Sequence, residues 1–131
     1  MDHIKESFER LAAGAVARRE RFGLEARRAA LAALEAAVKA HQAEIVAALA
    51  ADFGKPEVEV LLTEILPVLS EIGHARRKLK SWMRPRSAGF SLAALGSRAE
   101  IRPEPRGTCL IIAPWNYPVN LTLGPLVSCL A

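Results

Sequence analysis

The sequence has 131 residues, of which 51% are apolar and 24% are charged, and its formal net charge is +4. A chain of this length can bury one hydrophobic core, and the composition is that of a soluble, alanine-rich globular protein. The arginines are scattered and have no aromatic residues interleaved with them, so we do not expect a nucleic-acid-binding surface. Cys109 and Cys129 lie in apolar runs, which favours buried thiols in a reducing compartment over a disulfide framework. The polar start of the chain predicts no signal peptide. We therefore expect a cytoplasmic location.

The first half of the chain is predicted to be helical. Apolar residues share one helical face between residues 4 and 20, and Gly23 marks a break. From Leu24 onwards, apolar positions recur seven residues apart, which predicts one long amphipathic helix or two in tandem, ending near Ala51. His41 falls on this repeat, and we expect it to be partly buried. The following stretch, residues 52–56, combines a glycine that ends a helix with a proline that can begin the next one.

The next helix has the most regular apolar pattern in the chain. Its stripe alternates by three and four residues and comprises Val58, Leu61, Ile65, Val68, Ile72, Ala75 and Leu79. Pro67 interrupts the hydrogen-bond ladder and is expected to bend the helix. The basic residues Arg76, Arg77, Lys78 and Lys80 suit a helix C-terminus, where the macrodipole favours cations. Acidic residues on the helices have basic neighbours, and we expect all of them at the surface.

After Trp82 the composition changes. We expect a connector over residues 83–90, a short turn over residues 91–96, and a half-exposed strand over residues 97–103, where apolar and charged residues alternate. The β-branched run Thr108–Ala113 predicts a buried strand. It is followed by the loop Pro114-Trp-Asn-Tyr-Pro118 and then by an apolar stretch, residues 119–131, that indicates a helix.

Asn116, between the two prolines, is the best candidate for chemistry on the residues alone. Its neutral amide offers two N–H donors, and rigidly held donors of this kind can stabilise an oxyanion. A polar residue at the end of a strand is also where open α/β sheets bind ligands. Two structural roles stay open on this evidence. Asn116 could cap the following helix or hold the turn, and Trp115 could be a core residue.

The string Leu110-Ile-Ile-Ala-Pro-Trp-Asn-Tyr-Pro-Val-Asn-Leu-Thr-Leu-Gly-Pro-Leu126 resembles the motif at the first strand-to-loop turn of the cofactor domain in aldehyde dehydrogenases. It is most similar to the branch that oxidises fatty and aromatic aldehydes. The resemblance extends upstream through residues 51–56 and 63–69 to Trp82. It implies an α/β fold, in which the helical residues 1–82 and the connector, strands and loop of residues 83–131 form the N-terminal part of a doubly wound, Rossmann-like cofactor domain.

The resemblance also implies roles for individual residues. Asn116 matches the asparagine that donates to the substrate oxygen after a cysteine thiolate has attacked the aldehyde, and hydride then passes to NAD or NADP. Tyr117 matches an aromatic residue of the substrate tunnel. The positions that match the wall of the cofactor site are Ile112, Ala113, Pro114 and Trp115. Enzymes of this family form dimers or tetramers.

The family's nucleophilic cysteine and general-base glutamate have no counterpart in residues 1–131, and neither Cys109 nor Cys129 matches the nucleophile. The sequence ends at Ala131 inside an apolar helix pattern without a cap. We therefore expect an N-terminal piece of a longer protein, inactive by itself. The three histidines, at positions 3, 41 and 74, have no spacing that predicts a metal site or a catalytic triad.

Parts of the sequence are compatible with two other functions. Residues 107–131 carry no charge over 25 positions, a length that could span a bilayer, although three prolines and two asparagines argue against a membrane anchor. A non-catalytic helical interaction module would explain the apolar stripes of residues 24–49 and 58–79, but it would not explain the two prolines that bracket Trp-Asn-Tyr.

Overall fold

The computed structural model describes residues 2–89, 92 and 95–131, and it is mostly helical. The helices are α1 (Asp2–Ala13), α2 (Ala15–Arg21), α3 (Leu24–Ala40), α4 (Gln42–Phe53), α5 (Glu57–Val60), a π-helical turn (Leu61–Ile65), α6 (Leu66–Trp82) and α7 (Asn120–Leu130). Two short strands, β1 (Arg86–Ser87) and β2 (Glu100–Ile101), pair antiparallel. The break at Gly23, the helix end at Trp82 and the helix after residue 119 are thereby confirmed.

The seven-residue repeat is confirmed as two helices in tandem, α3 and α4, which meet at His41. The prediction that His41 is partly buried is wrong. At the joint between the two helices its ring leaves the apolar stripe and is exposed, with Nδ1 3.1 Å from a carboxylate oxygen of Glu44. α4 ends at Gly54, whose φ of 67° lies in the left-handed region that glycine tolerates best.

The core lies where α6 packs against α3 and α7. Its buried residues are Leu31, Val38, Leu49, Val60, Ile65, Val68, Ile72, Ala75, Leu79 and Val127. The stripe predicted over residues 58–79 is therefore confirmed from Ile65 to Leu79. Its first member was predicted wrongly, because Val58 is 67% exposed in the short helix α5, and the π-helical turn after α5 shifts the register of the buried face.

The buried strand predicted over Thr108–Ala113 is wrong for this structure. These residues have no strand partner among the described residues, where β1 and β2 pair only with each other. Leu110 and Ile112 are 74% and 85% exposed. A parallel strand is buried only when neighbouring strands and helices cover both faces. The strand predicted over residues 97–103 is confirmed only at Glu100–Ile101, and both of its residues are exposed.

Two further burial predictions fail. Cys109 and Cys129 are exposed rather than buried, because the segment that carries Cys109 is uncovered. In the region predicted as a turn, the N–H of Leu95 donates to the carbonyl of Leu92 at 3.3 Å, while residues 91, 93 and 94 lie outside the described part of the chain.

Among the residues that the structure describes, none of the helices has the length and the apolar character that are needed to span a bilayer.

Candidate functional site

The loop between Pro114 and Pro118 leads directly into α7. Trp115 and Asn116 are exposed at its tip, and Tyr117 is half-buried at its end. The first backbone hydrogen bond of the helix already includes this loop, because the N–H of Leu121 donates to the carbonyl of Tyr117 at 3.0 Å. The position of the loop therefore depends on how the start of α7 is held.

The start of α7 is held by a buried carboxylate from another helix. Glu64, in the π-helical turn, is 0% exposed. Its Oε2 accepts hydrogen bonds from the backbone N–H groups of Val119, at 3.1 Å, and Asn120, at 3.0 Å. The first N–H groups of a helix have no partner within the helix, and a negative charge there is favourable. Glu64 thus does the work of a helix cap, and the prediction that all helical acids lie at the surface is wrong for it.

Lys55 joins this carboxylate to the loop. Its Nζ donates to Oε1 of Glu64 at 2.7 Å and to the backbone carbonyl of Asn116 at 2.8 Å. The same ammonium lies 4.1 Å from the centroid of the Tyr117 ring, within the range of a cation–π interaction. The Lys55 side chain is only 10% exposed. The ion pair of Lys55 and Glu64 therefore has contacts on both sides. Lys55 contacts Asn116 and Tyr117 of the loop, and Glu64 accepts from the two backbone N–H groups at the start of α7.

A proline explains why a second bond reaches α7. Pro67 has no N–H, so the carbonyl of Thr63, four residues earlier, lacks the donor that an α-helix would supply. The side-chain amide of Asn120 donates to this carbonyl at 2.9 Å. The irregular hydrogen bonding expected around Pro67 is observed one turn before it, as the π-helical turn. The irregular turn presents both Glu64 and the Thr63 carbonyl to the start of α7.

Asn116 is placed for a role other than capping. Its backbone carbonyl is fixed by Lys55, whereas the residue as a whole is exposed to solvent. The alternative that Asn116 caps α7 is not supported, because the helix has no side-chain cap from its own segment and Glu64 takes the relevant amides. The loop therefore combines a fixed backbone with a solvent-facing amide that can donate to a bound ligand.

Four residues are predicted to form a cofactor wall. Two of them lie in this loop and two directly precede it. Ile112 and Trp115 are 85% and 83% exposed, Pro114 is exposed and Ala113 is half-buried. These residues are apolar and face solvent, which fits a surface for the flat rings and ribose of a nucleotide. They carry no charge for its phosphates, so they fit one wall of such a site and not a complete one.

A large cavity lies elsewhere among the described residues. It has a volume of about 710 Å³, is open to solvent, and is lined in part by Arg27, Trp82, Met83, Cys109 and Cys129. None of residues 112–117 lines it. Partial burial of its sulfur raises the pKa of the Cys129 thiol, and a hydrogen bond with Cys109 adds to this effect. A raised thiol pKa disfavours the nucleophilic thiolate at neutral pH.

Sequence reasoning missed the residues that hold the loop, Lys55 and Glu64. The signal was present, because both residues lie in the two upstream strings, 51–56 and 63–69, that carry the resemblance. Glu64 stands next to Ile65, beside the apolar stripe, which is compatible with a buried carboxylate. It could not be distinguished from a surface glutamate without knowing that the start of α7 packs against it.

Comparisons with known proteins show which family the chain resembles. The model of the aldehyde dehydrogenase family matches residues 4–131. Aldehyde dehydrogenase family 3 member B1 of Bos taurus is 39% identical over 131 residues, which is 100% of this chain and 28% of that protein. The 4,4'-diaponeurosporen-aldehyde dehydrogenase of Staphylococcus aureus is 40% identical over 98 residues, 75% of this chain and 21% of that protein. A solved structure, the substrate-bound state of Staphylococcus aureus AldH, superposes with a TM-score of 0.89 at 34% identity, over 97% of this chain and 28% of that one. The chain thus spans about a quarter of the length of these relatives.

Proposed function

This chain belongs to the aldehyde dehydrogenase family, and from that premise we propose that residues 1–131 form the N-terminal part of an enzyme that oxidises an aldehyde to a carboxylic acid with NAD or NADP. One observation of the structure supports the proposal above the others. The Asn116 amide faces solvent on a loop whose backbone is held by a nearly buried ammonium, Lys55. The family match over residues 4–131 does not favour the alternatives of an interaction module or a membrane anchor.

Asn116 is the proposed oxyanion donor. When a cysteine thiolate adds to the aldehyde, the carbonyl oxygen becomes an oxyanion in a covalent thiohemiacetal. An amide N–H that is already in place stabilises this charge without reorganising during the reaction. The amide is neutral and does not titrate, so it donates at any pH at which the thiolate exists. The cysteine and the glutamate base that the resemblance implies would come from outside residues 1–131.

The end of the apolar run and the first two residues of the loop are the proposed cofactor wall. Ile112, Ala113, Pro114 and Trp115 would contact the adenosine and nicotinamide-ribose part of NAD or NADP. When bound, the cofactor would supply the hydride acceptor. Loss of hydride from the thiohemiacetal gives a thioester of the cysteine, and hydrolysis of this thioester by water releases the carboxylic acid. Tyr117 would form part of the substrate tunnel, and the ammonium beside its ring restricts how that ring can turn.

The substrate class, assembly and location are further parts of the proposal. We propose fatty or aromatic aldehydes as substrates, because the motif of residues 110–126 is similar to that branch of the family. We also propose a homodimer or homotetramer in the cytoplasm. Neither Cys109 nor Cys129 is proposed as the nucleophile, so residues 1–131 alone are expected to be inactive.

The test is an assay of aldehyde-dependent reduction of NAD and of NADP, by the absorbance of the reduced nicotinamide, with one long-chain and one aromatic aldehyde. The full protein that contains residues 1–131 is expected to reduce at least one cofactor with at least one aldehyde. The 131-residue chain is assayed beside it and is expected to give no turnover. A folded full protein that oxidises neither aldehyde would contradict the proposal, and turnover by the 131-residue chain would contradict the assignment of its cysteines.

A further inference from the structure

We propose that Lys55 and Glu64 are positioning residues for the oxyanion site, acting together through the backbone of Asn116 and the start of α7. This inference rests on the proposed function, because it assigns the two residues a purpose only if the Asn116 amide contacts the substrate oxygen. Neither residue is proposed to contact the substrate itself. Their effect on the reaction is transmitted by the loop.

The first step is the geometry of Lys55. A lysine ammonium has three N–H donors. In this structure it donates to the Glu64 carboxylate at 2.7 Å and to the Asn116 carbonyl at 2.8 Å, and it lies over the Tyr117 and Phe53 rings, with their centroids at 4.1 and 5.7 Å. These contacts of one nearly buried cation fix its position. The carbonyl of Asn116 is therefore tied to a point in the helical core, and its carbon is bonded directly to the Cα from which the amide side chain extends.

The second step concerns the two oxygens of the Glu64 carboxylate, which have different partners. Oε1 accepts from Lys55 and Oε2 accepts from the two amides at the start of α7. A single rigid group thus sets the distance between Lys55, which holds the front of the loop, and α7, which holds its end. Since a carboxylate is planar and Glu64 is fully buried, a change at either oxygen is passed on to both ends of the residues 116–120 segment.

The third step is the size of the expected effect. A donor in an oxyanion hole contributes about 100- to 1000-fold to the rate, and displacing a catalytic group by about 1 Å can cost about 100-fold. Loss of the Lys55 contact releases the Asn116 carbonyl, so the side-chain amide is still present but is no longer held in position. We therefore expect Lys55→Met to lower kcat by about 10- to 100-fold, less than removal of the Asn116 amide does.

The experiment is a double-mutant cycle in the full protein that contains residues 1–131, with the variants Lys55→Met, Asn116→Ala and the two combined. If Lys55 acts through Asn116, then Lys55→Met lowers kcat by about tenfold or more in the wild-type background and by less than about threefold when Asn116 is already alanine. The KM for NAD or NADP changes by less than about threefold, because Lys55 contacts Asn116 and Tyr117 and none of the four residues of the cofactor wall. Lys39→Met is the matched control, since Lys39 is 57% exposed and pairs with Glu35 on the surface of α3, and it is expected to leave kcat unchanged.

The outcomes separate this inference from the proposed function. A slow Asn116→Ala enzyme with a Lys55→Met enzyme as fast as the wild type would overturn the positioning role and leave the proposed function intact. Equal loss of rate from Lys55→Met in both backgrounds would also overturn it, because the lysine would then act on the fold as a whole. An Asn116→Ala enzyme as fast as the wild type would overturn both. Unfolding midpoints are measured for every variant, and Lys55→Gln, which removes the cation but keeps a polar side chain beside Glu64, replaces Lys55→Met in the cycle if the latter does not fold.

Discussion

Replacement of Glu64 by leucine should destabilise the chain more than replacement of any surface acid. Leucine has a similar size but offers no acceptor. The change would leave the Lys55 ammonium, whose side chain is 10% exposed, without its carboxylate. It would also leave the N–H groups of Val119 and Asn120 without the acceptor that they have at 3.1 and 3.0 Å.

The magnitude follows from these three losses. Removing one partner of a buried ion pair costs about 3–5 kcal/mol, because the remaining charge stays buried and unpaired. A buried N–H without an acceptor costs about 1–3 kcal/mol when nothing replaces it. Water can reach part of this half-buried site, so the costs do not add in full, and we expect Glu64→Leu to lower the free energy of unfolding by about 3–5 kcal/mol. Glu64→Gln keeps one acceptor oxygen but loses the charge, and a smaller loss of about 1–3 kcal/mol is expected.

The assay is urea unfolding of the 131-residue chain, followed by circular dichroism in the far ultraviolet. Glu25→Gln is the control, because Glu25 is 80% exposed and pairs with Arg28 at 3.0 Å within α3, and a change within about 0.5 kcal/mol is expected for it. A Glu64→Leu variant within about 1 kcal/mol of the wild type would refute the reasoning, since so small a loss is that of a surface substitution. It would mean that the carboxylate is solvated and does not hold α7.

Three further predictions concern the fold. Gly54→Ala places a residue with a Cβ in the left-handed region at φ 67°, and it should lower the free energy of unfolding by about 1–2 kcal/mol in the same urea assay. Gly23→Ala is its control and should be neutral, because φ is −77° and no atom lies within 4 Å of the added Cβ. Ile72→Ala removes a fully buried side chain and should cost about 2–5 kcal/mol; a loss below about 1 kcal/mol would mean that α6 does not form the core. A hydrogen bond from Lys39 is the main cause that lowers the pKa of Glu35, so its contribution to stability is present above the ordinary glutamate pKa of about 4.3 and is lost as the pH falls through the lower folded value. Glu35→Gln should therefore flatten the acid limb of stability against pH, and an unchanged limb would contradict the assigned ion pair.

The helices could be predicted from the sequence because their signals are local. The repeat from Leu24, the Gly54 stop and the stripe from Ile65 to Leu79 all depend on residues a few positions apart, and the structure confirms them. The strand Thr108–Ala113 could not be judged in this way, since a strand is stabilised by partners distant in sequence. Its apolar run predicts burial, but burial depends on what covers it.

The candidate site shows the same distinction. Asn116 could be found from two flanking prolines and a familiar motif, all within one loop. Lys55 and Glu64 are nine residues apart from each other, but they contact the loop across separations of 61, 55 and 56 residues. A buried glutamate in an amphipathic helix has the same sequence pattern as one at the edge of the apolar face. Only the packing of α7 against α6 and the π-helical turn distinguishes them.

The measurement that most directly tests the oxyanion role of Asn116 is the rate of the first turnover, observed as the burst of reduced nicotinamide when the full protein containing residues 1–131 is mixed with aldehyde and cofactor. If the amide stabilises the oxyanion, Asn116→Ala lowers this rate by about 100- to 1000-fold. The affinity for NAD or NADP, measured by titration without aldehyde, then stays within about threefold of the wild type, since only a contact made in the transition state has been removed. A first-turnover rate within about threefold of the wild type would contradict the account, because the loop held by Lys55 and Glu64 would then carry no donor that the reaction needs.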